Sequence, residues 1–205
     1  MSWRAVALAE DVAPGATLPV VAFGEEFVAW RTPAGRLSLW RDRCPHRGMR
    51  LSFGFVRGET LACLYHGWRW RADGGCAHIP AHPDLDPPAS LRVDAPHAVE
   101  AGGLVWLWRG EGAPGAPPPA LPAPMRAARS LTVTAPEADL AAALEGWAPL
   151  AAGLRLGTVA GAAAALALRP KDDRATTLHL LVSDPARRRA ASDWAEALRD
   201  VLEAA

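Results

Sequence analysis

This sequence of 205 residues has no excess charge of either sign, no long apolar run and no cysteine set that can pair off completely. Lys plus Arg and Asp plus Glu each number 22. With no net field to draw in nucleic acid or an anionic membrane surface, any charged docking face must be local. The opening MSWRAVALAEDVAPG mixes charges among its apolar residues and lacks the continuous hydrophobic stretch of a secretory leader. The stretch from Ala148 to Leu168 is mostly Ala and Gly, which add little insertion energy. Arg155 within it would cost about 2.5 to 3.5 kcal/mol near the centre of a membrane helix, so no span is expected. Three cysteines cannot all pair, and nothing points to an oxidising compartment. Thiolate ligation is therefore expected rather than a disulfide framework, and the cytoplasm is the expected location. No internal repeat recurs along the chain.

Half of the residues are hydrophobic, enough to bury the core of one or two small domains. Short strand-like pieces run from Thr17 to Trp40 (TLPVVAF, EFVAWR, RLSLW), punctuated by Gly24 and the turn segment TPAG at 32–35. Others follow at 60–64, 68–71 and 104–108. Brief β segments separated by turns predict an antiparallel, mainly β domain over 1–110. Residues 111–126 are dominated by Pro, Ala and Gly and read as a linker.

Beyond the linker the character changes to a small α+β segment, 127–205. A strand is expected at 130–134. A helix should start at Pro136, with Glu137 and Asp139 in its opening turn and Leu140, Leu144 and Trp147 at helical spacing. The pieces ALALR (165–169) and TTLHLLVS (176–183) suggest a hairpin around Pro170–Asp173. An amphipathic helix closes the chain: Asp184 caps it, Pro185 opens its first turn, and Trp194, Leu198, Val201 and Leu202 line one face.

Two segments carry the chemistry, Cys44-Pro45-His46-Arg47-Gly48 and Cys63-Leu64-Tyr65-His66-Gly67-Trp68, with sixteen residues between His46 and Cys63. Each supplies one Cys and one His. A Rieske-type 2Fe-2S centre has two thiolates on one iron and two imidazoles on the other, so two facing loops can each give one ligand to each iron. Gly48 and Gly67 let the backbone turn tightly around sulfide, and Pro45 stiffens the first loop. Structural zinc is the competing reading, but zinc knuckles usually pair like ligands, whereas each loop here mixes them. Trp68 and Trp70 can serve as core packing, Cys76 as a small buried hydrophobe, and His78, His82 and His97 as solvated loop residues or core edges.

The stretch Arg43 to Pro80, RCPHRGMRLSFGFVRGETLACLYHGWRWRADGGCAHIP, resembles the cluster-binding segment of Rieske non-haem iron oxygenases of the ring-hydroxylating and O-demethylase type. That resemblance implies a Rieske antiparallel β-sandwich with a cluster-binding subdomain. It implies one Rieske-type 2Fe-2S cluster, with Cys44 and Cys63 on the buried iron and His46 and His66 on the outer iron. Arg47, Gly48, Tyr65, Gly67 and Trp68 would surround it. The extra loop cysteines of the respiratory and photosynthetic branch have no counterpart here, which favours the oxygenase branch and a potential toward the low end of the Rieske range.

The same family follows this domain with a catalytic domain whose mononuclear iron sits in a 2-His-1-carboxylate site. At the corresponding place the chain reads Leu140-Ala-Ala-Ala-Leu144-Glu145-Gly146-Trp147-Ala-Pro149-Leu150, without histidine. Only His179 lies beyond residue 97. Residues 127–205 therefore resemble a shortened remnant of that domain. The expected function is electron transfer from a reductase to a separate oxygenase subunit, with no catalytic residue assigned. An oxygenase using Glu145 and His179 with further unrecognised ligands remains an alternative, as does a non-catalytic assembly or redox-sensing subunit. Substrate and oligomeric state are left open.

Overall fold

The computed structural model describes residues 2–204. In chain order the first strands are β1 (Ser2–Leu8), β2 (Thr17–Ala22), β3 (Glu25–Arg31), β4 (Leu37–Arg41), β5 (Phe55–Arg57), β6 (Thr60–Ala62), β7 (Arg69–Arg71) and β8 (Cys76–His78). Then come β9 (Ala98–Ala101), β10 (Leu104–Arg109) and β11 (Arg126–Val133), helix α1 (Glu137–Ala143), β12 (Ala148–Ala151), β13 (Leu154–Val159), β14 (Ala162–Pro170), β15 (Thr176–Val182) and helix α2 (Arg188–Glu203). The chain is mainly β, as its composition of short strands and turns implies. Residues 111–125 contain neither strand nor helix. Among the described residues no helix is long and apolar enough to cross a membrane. The run 148–168, rejected as a span, forms β12, β13 and most of β14.

Two compact units divide the chain, each drawn from separate stretches: residues 11–21 with 25–99, and residues 1–10 and 22–24 with 100–205. In the first unit, strands run in the orders β2-β3-β4 and β5-β6-β7-β8. Their side chains share one core in which Val28, Trp30, Trp40, Leu61 and Trp70 pack with Cys44, Cys63 and Cys76. Trp30 meets Trp40 edge-on at 5.0 Å, a geometry that adds about 0.5 to 1.5 kcal/mol to simple burial. Three indoles, Trp30 of β3, Trp40 of β4 and Trp70 of β7, thus fill a small volume at the base from which the two Cys/His loops project.

In the second unit, β11-β15-β14-β13-β12 form one sheet, and its two central strands are covered on both faces. Burial on both faces explains why β14 and β15 read as nearly continuous apolar runs instead of alternating ones. Leu166, Leu168, Leu178, Leu180 and Val182 face Leu140 and Leu144 near α1 and Ala191, Ala195 and Trp194 of α2. Ala165, Ala167 and Leu181 face Trp3 and Trp106 of β1 and β10. Alanines on the sheet leave room for the indoles opposite.

The helix starting near Pro136 is present with Glu137 and Asp139 in its first turn, but Pro136 is its cap and the helix stops at Ala143. Gly146, at φ 88°, turns the chain, so Trp147 leaves the helical register. It still joins that core, stacking on Trp194 at 5.6 Å and 21°. Asp184 accepts a hydrogen bond from Ala186 N–H at 2.9 Å, capping a short turn that leads into α2. Trp194, Leu198 and Leu202 pack inward as expected; Val201, expected on the same face, is 70% exposed. It falls outside the i, i+4, i+8 row of the other three, on the flank of the helix.

His179 lies in β15 on the face shared with Leu181, and its Nδ1 pairs with Ser130 Oγ at 2.7 Å. Burial, reinforced by the positive charge of Arg169, holds its pKa well below the usual imidazole value. A neutral buried histidine takes up protons only on unfolding, so the unfolded chain binds more protons below about pH 6.5 and stability declines there. We expect the stability of the wild-type protein to fall by up to about 1.4 kcal/mol per pH unit below pH 6.5 relative to His179→Gln. Paired urea titrations between pH 5 and 8 measure this, and parallel curves for the two proteins would refute it.

Candidate metal centre

The two Cys/His loops share one backbone plan. In the first, Cys44 N–H donates to Met49 O at 2.8 Å and Gly48 N–H donates back to Cys44 O at 2.8 Å. In the second, Cys63 N–H donates to Trp68 O at 2.8 Å and Gly67 N–H to Cys63 O at 3.0 Å. Each loop closes on the residue five after its cysteine, and the fourth must adopt the left-handed region. Gly48 at φ 73° and Gly67 at φ 69° do so, where any other L residue would cost about 1 to 2 kcal/mol. The glycine spacing read from the sequence is therefore a folding requirement of both loops.

Within this plan the predicted residues separate by solvent access. Cys44 and Cys63 are each 2% exposed. Their thiols are electrostatic neighbours: burial pushes Cys44 up to about 11, the His46 amide works against that rise as a hydrogen-bond donor, and the Cys63 thiol adds to it. His46 is half-buried and His66 exposed, with ring centroids 4.8 Å apart in an edge arrangement. Partial burial, with the like charges of His66 and Arg47, lowers the His46 pKa, which favours the neutral ring that ligates metal.

Aromatic rings brace the imidazoles across the loops. Trp68, from the second loop, stacks on His46 of the first at 4.3 Å and 8°. Tyr65 lies over His66 at 3.8 Å. Arg47 is exposed, and its charge acts on His46. Cys76 is a free, buried thiol in the tryptophan core, as expected, and His82 and His97 are exposed. His78 is half-buried in β8.

These donors fit a sulfide-bridged pair of irons. Two thiols meet in the core and two imidazoles meet at the surface. Among the described residues no three His, Cys, Asp or Glu side chains converge closely enough to hold a single ion. The Cys44 thiol, pushed up by burial, keeps its proton until a metal replaces it.

Sequence reading missed the brace beneath the first loop. Asp42 is 5% exposed, and its carboxylate accepts from Ser52 N at 2.7 Å and Ser52 Oγ at 2.6 Å. Ser52 O in turn accepts from Thr17 Oγ1 at 3.0 Å. A clasp across ten residues has no periodic signature, and an Asp beside a turn reads as solvated.

Residues 2–100 match the Rieske [2Fe-2S] domain family. Among curated proteins, the chain is 38% identical over 116 residues to "Oxidoreductase NdmD" of Pseudomonas putida, covering 56% of this chain and 20% of that protein. It is 37% identical over 99 residues to the "3-chlorobenzoate-3,4-dioxygenase oxygenase subunit" of Comamonas testosteroni, covering 48% and 23% respectively. The matched region thus spans about a fifth to a quarter of these relatives' length. Among solved structures, dicamba monooxygenase superposes with a TM-score of 0.78 over 99% of this chain and 85% of that one, at 22% identity, a likeness of fold. Residues 2–100 therefore form a member of the Rieske [2Fe-2S] domain family, and the cofactor is a Rieske-type 2Fe-2S cluster.

Removing the clasp should loosen the first loop selectively. Asp42→Ala leaves the Ser52 amide without its acceptor and is expected to cost about 1.5 to 3 kcal/mol, the range for hydrogen bonds to a charged group. Faster loss of visible cluster absorbance in a chelator than in wild type is the readout, and equal bleaching rates would show that the clasp does not hold the loop.

Proposed function

We propose that Cys44, His46, Cys63 and His66 hold the cluster and that the chain is a one-electron carrier, taking its electron from a reductase and delivering it to a non-haem iron oxygenase on another chain. The observation that carries this reading is the twin-loop arrangement, with two thiols in the core and two imidazoles at the surface. Cys44 and Cys63 would bind the inner iron, His46 and His66 the outer one. When bound, the cluster supplies a single reversible electron, at a potential raised by neutral imidazoles relative to an all-Cys centre.

The protein's own residues shape that exchange. His66 and half-buried His46 offer a short path to a docked partner, Trp68 fixes the plane of His46, and the tryptophan core excludes water from the thiolate side. We assign electron transfer to residues 1–110, whose loop-bearing part is the unit of residues 11–21 and 25–99 while β1 and β10 pack with the large sheet. We take 111–126 as the connector and 127–205 as the oxygenase-like remnant. The words "oxygenase subunit" in the Comamonas relative's name support a multi-part system. Three free thiols suit a reducing cytoplasm.

Fold likeness to dicamba monooxygenase motivates a second reading, in which the chain is itself an oxygenase. Its two candidate ligands stand apart. Glu145 is exposed just past α1, which packs on one face of the large sheet, whereas His179 points to the opposite face and is occupied by Ser130. This separation favours the carrier.

Metal analysis of the purified protein tests both readings. About two irons and two labile sulfides per chain fit the carrier, a third iron that survives chelation fits the oxygenase, and one zinc without sulfide overturns the ligand assignment. His66→Cys should keep a cluster but add negative charge and lower its potential; an unchanged potential in a redox titration would remove His66 from the ligand set. Failure to cycle electrons with any reductase and oxygenase pair would count against the carrier role.

A further inference from the structure

Although the chain as a whole is neutral, its charges are segregated. Residues 43–71, which hold both Cys/His loops and β5, β6 and β7, contain six arginines and a single acid, Glu59. The Glu59 carboxylate accepts from Ala34 N–H at 3.2 Å. Two of the arginines are paired, Arg50 with Glu26 and Arg71 with Asp73 at 3.8 Å. The other four, Arg43, Arg47, Arg57 and Arg69, are exposed and make no ion pair among the described residues.

Strand register gathers three of the six on one face. Phe55 stands opposite Ala62 and Ala62 opposite Arg69, while Arg57 stands opposite Thr60 and Thr60 opposite Arg71. Directly opposed residues of antiparallel strands share a face. Val56, Leu61 and Trp70 take the other face, in the tryptophan core. By strand spacing the outward face sets Arg71 about 7 Å from Arg69 and about 10 Å from Arg57. Phe55 lies among them, 44% exposed, with the Arg57 guanidinium over its ring at 5.3 Å. The face runs directly into the second Cys/His loop, since Ala62 precedes Cys63 and Arg69 follows Trp68.

Like charges at this spacing repel, because the screening length in 0.1 M salt is about 10 Å. For Arg57 and Arg69 no acid within the chain offsets that repulsion. Arginine beside an exposed aromatic ring is the composition of protein interfaces, and a carboxylate-rich partner would supply the missing counter-charge. The electron also has to arrive from a centre of lower potential. An all-cysteine 2Fe-2S protein meets that requirement and carries the more negative cluster.

We propose that the outward face of β5, β6 and β7 docks the electron donor, an acidic protein whose carboxylates meet Arg57, Arg69 and Arg71 and which is thereby steered to the loop carrying His66. The inference rests on the proposed carrier role. One electron leaves the reduced donor and enters the oxidised cluster, and no covalent bond forms or breaks.

The test mixes the oxidised, cluster-loaded protein with a reduced, acidic plant-type ferredoxin in an anaerobic stopped-flow and follows reduction at rising ionic strength. In wild type the second-order rate should fall as salt rises. Arg57→Glu with Arg69→Glu should cut it about tenfold or more at low salt while leaving the cluster spectrum and potential unchanged, and the curves should converge at high salt. Arg57→Gln with Arg69→Gln should fall between. Arg126→Glu with Arg174→Glu places the same charge change on exposed positions of the other unit and should stay within about twofold of wild type.

A rate indifferent to salt, or an equal loss in both glutamate pairs, overturns the proposal. So does a dimer in low-salt sedimentation, or binding of a single-stranded oligonucleotide, that Arg57→Glu with Arg69→Glu abolishes, since a second copy or nucleic acid then occupies the face. Reduction by dithionite but not by the ferredoxin overturns the docking alone. Absence of any Rieske-type signal after dithionite overturns the ligand assignment and the carrier role with it.

Discussion

Everything in the loop-bearing unit answers to one electrostatic constraint: two sulfur ligands have to be kept dry while two nitrogen ligands stay within reach of solvent. The tryptophan core meets the first half, since Cys44 and Cys63 are walled in by Trp30, Trp40 and Trp70. The loops meet the second half by projecting only two or three residues further, to His46 and His66.

The large sheet of the other unit shows the opposite use of the same apolar chemistry. Its helix-facing side is packed with Leu166, Leu168, Leu178 and Leu180 against α2, and its other side with indoles against alanines. Packing of this density serves cohesion. Of its buried polar side chains, His179 pairs with Ser130, and Arg169 donates to Thr177 and to the backbone of Val6.

How much of this could be read from the sequence follows from the range of each interaction. The ligand pattern and the two glycines are local, so spacing alone reveals Cys44, His46, Cys63, His66, Gly48 and Gly67. Strands β3, β4, β10 and β15 are visible because apolar residues dominate short stretches bounded by turn residues. β1, β12 and β13 are not: β1 has Arg4 in its middle, and β12 and β13 hide in an Ala- and Gly-rich stretch where periodicity is faint. The Asp42–Ser52 clasp links residues ten positions apart, which no propensity or motif encodes. Trp147 was assigned to a helix by its spacing, yet it reaches the same core from a turn that Gly146 makes possible.

The pairing of β1 with β10 sets Ser2 opposite Arg109, and this bears on the order in which the protein can be assembled. During synthesis the opening strand leaves the ribosome with no mate, because its partner is made only after the whole loop-bearing unit has emerged. Such distant pairings form late. The inserted unit can therefore collapse and capture iron while the first strand still waits, so maturation of the cofactor need not await completion of the chain.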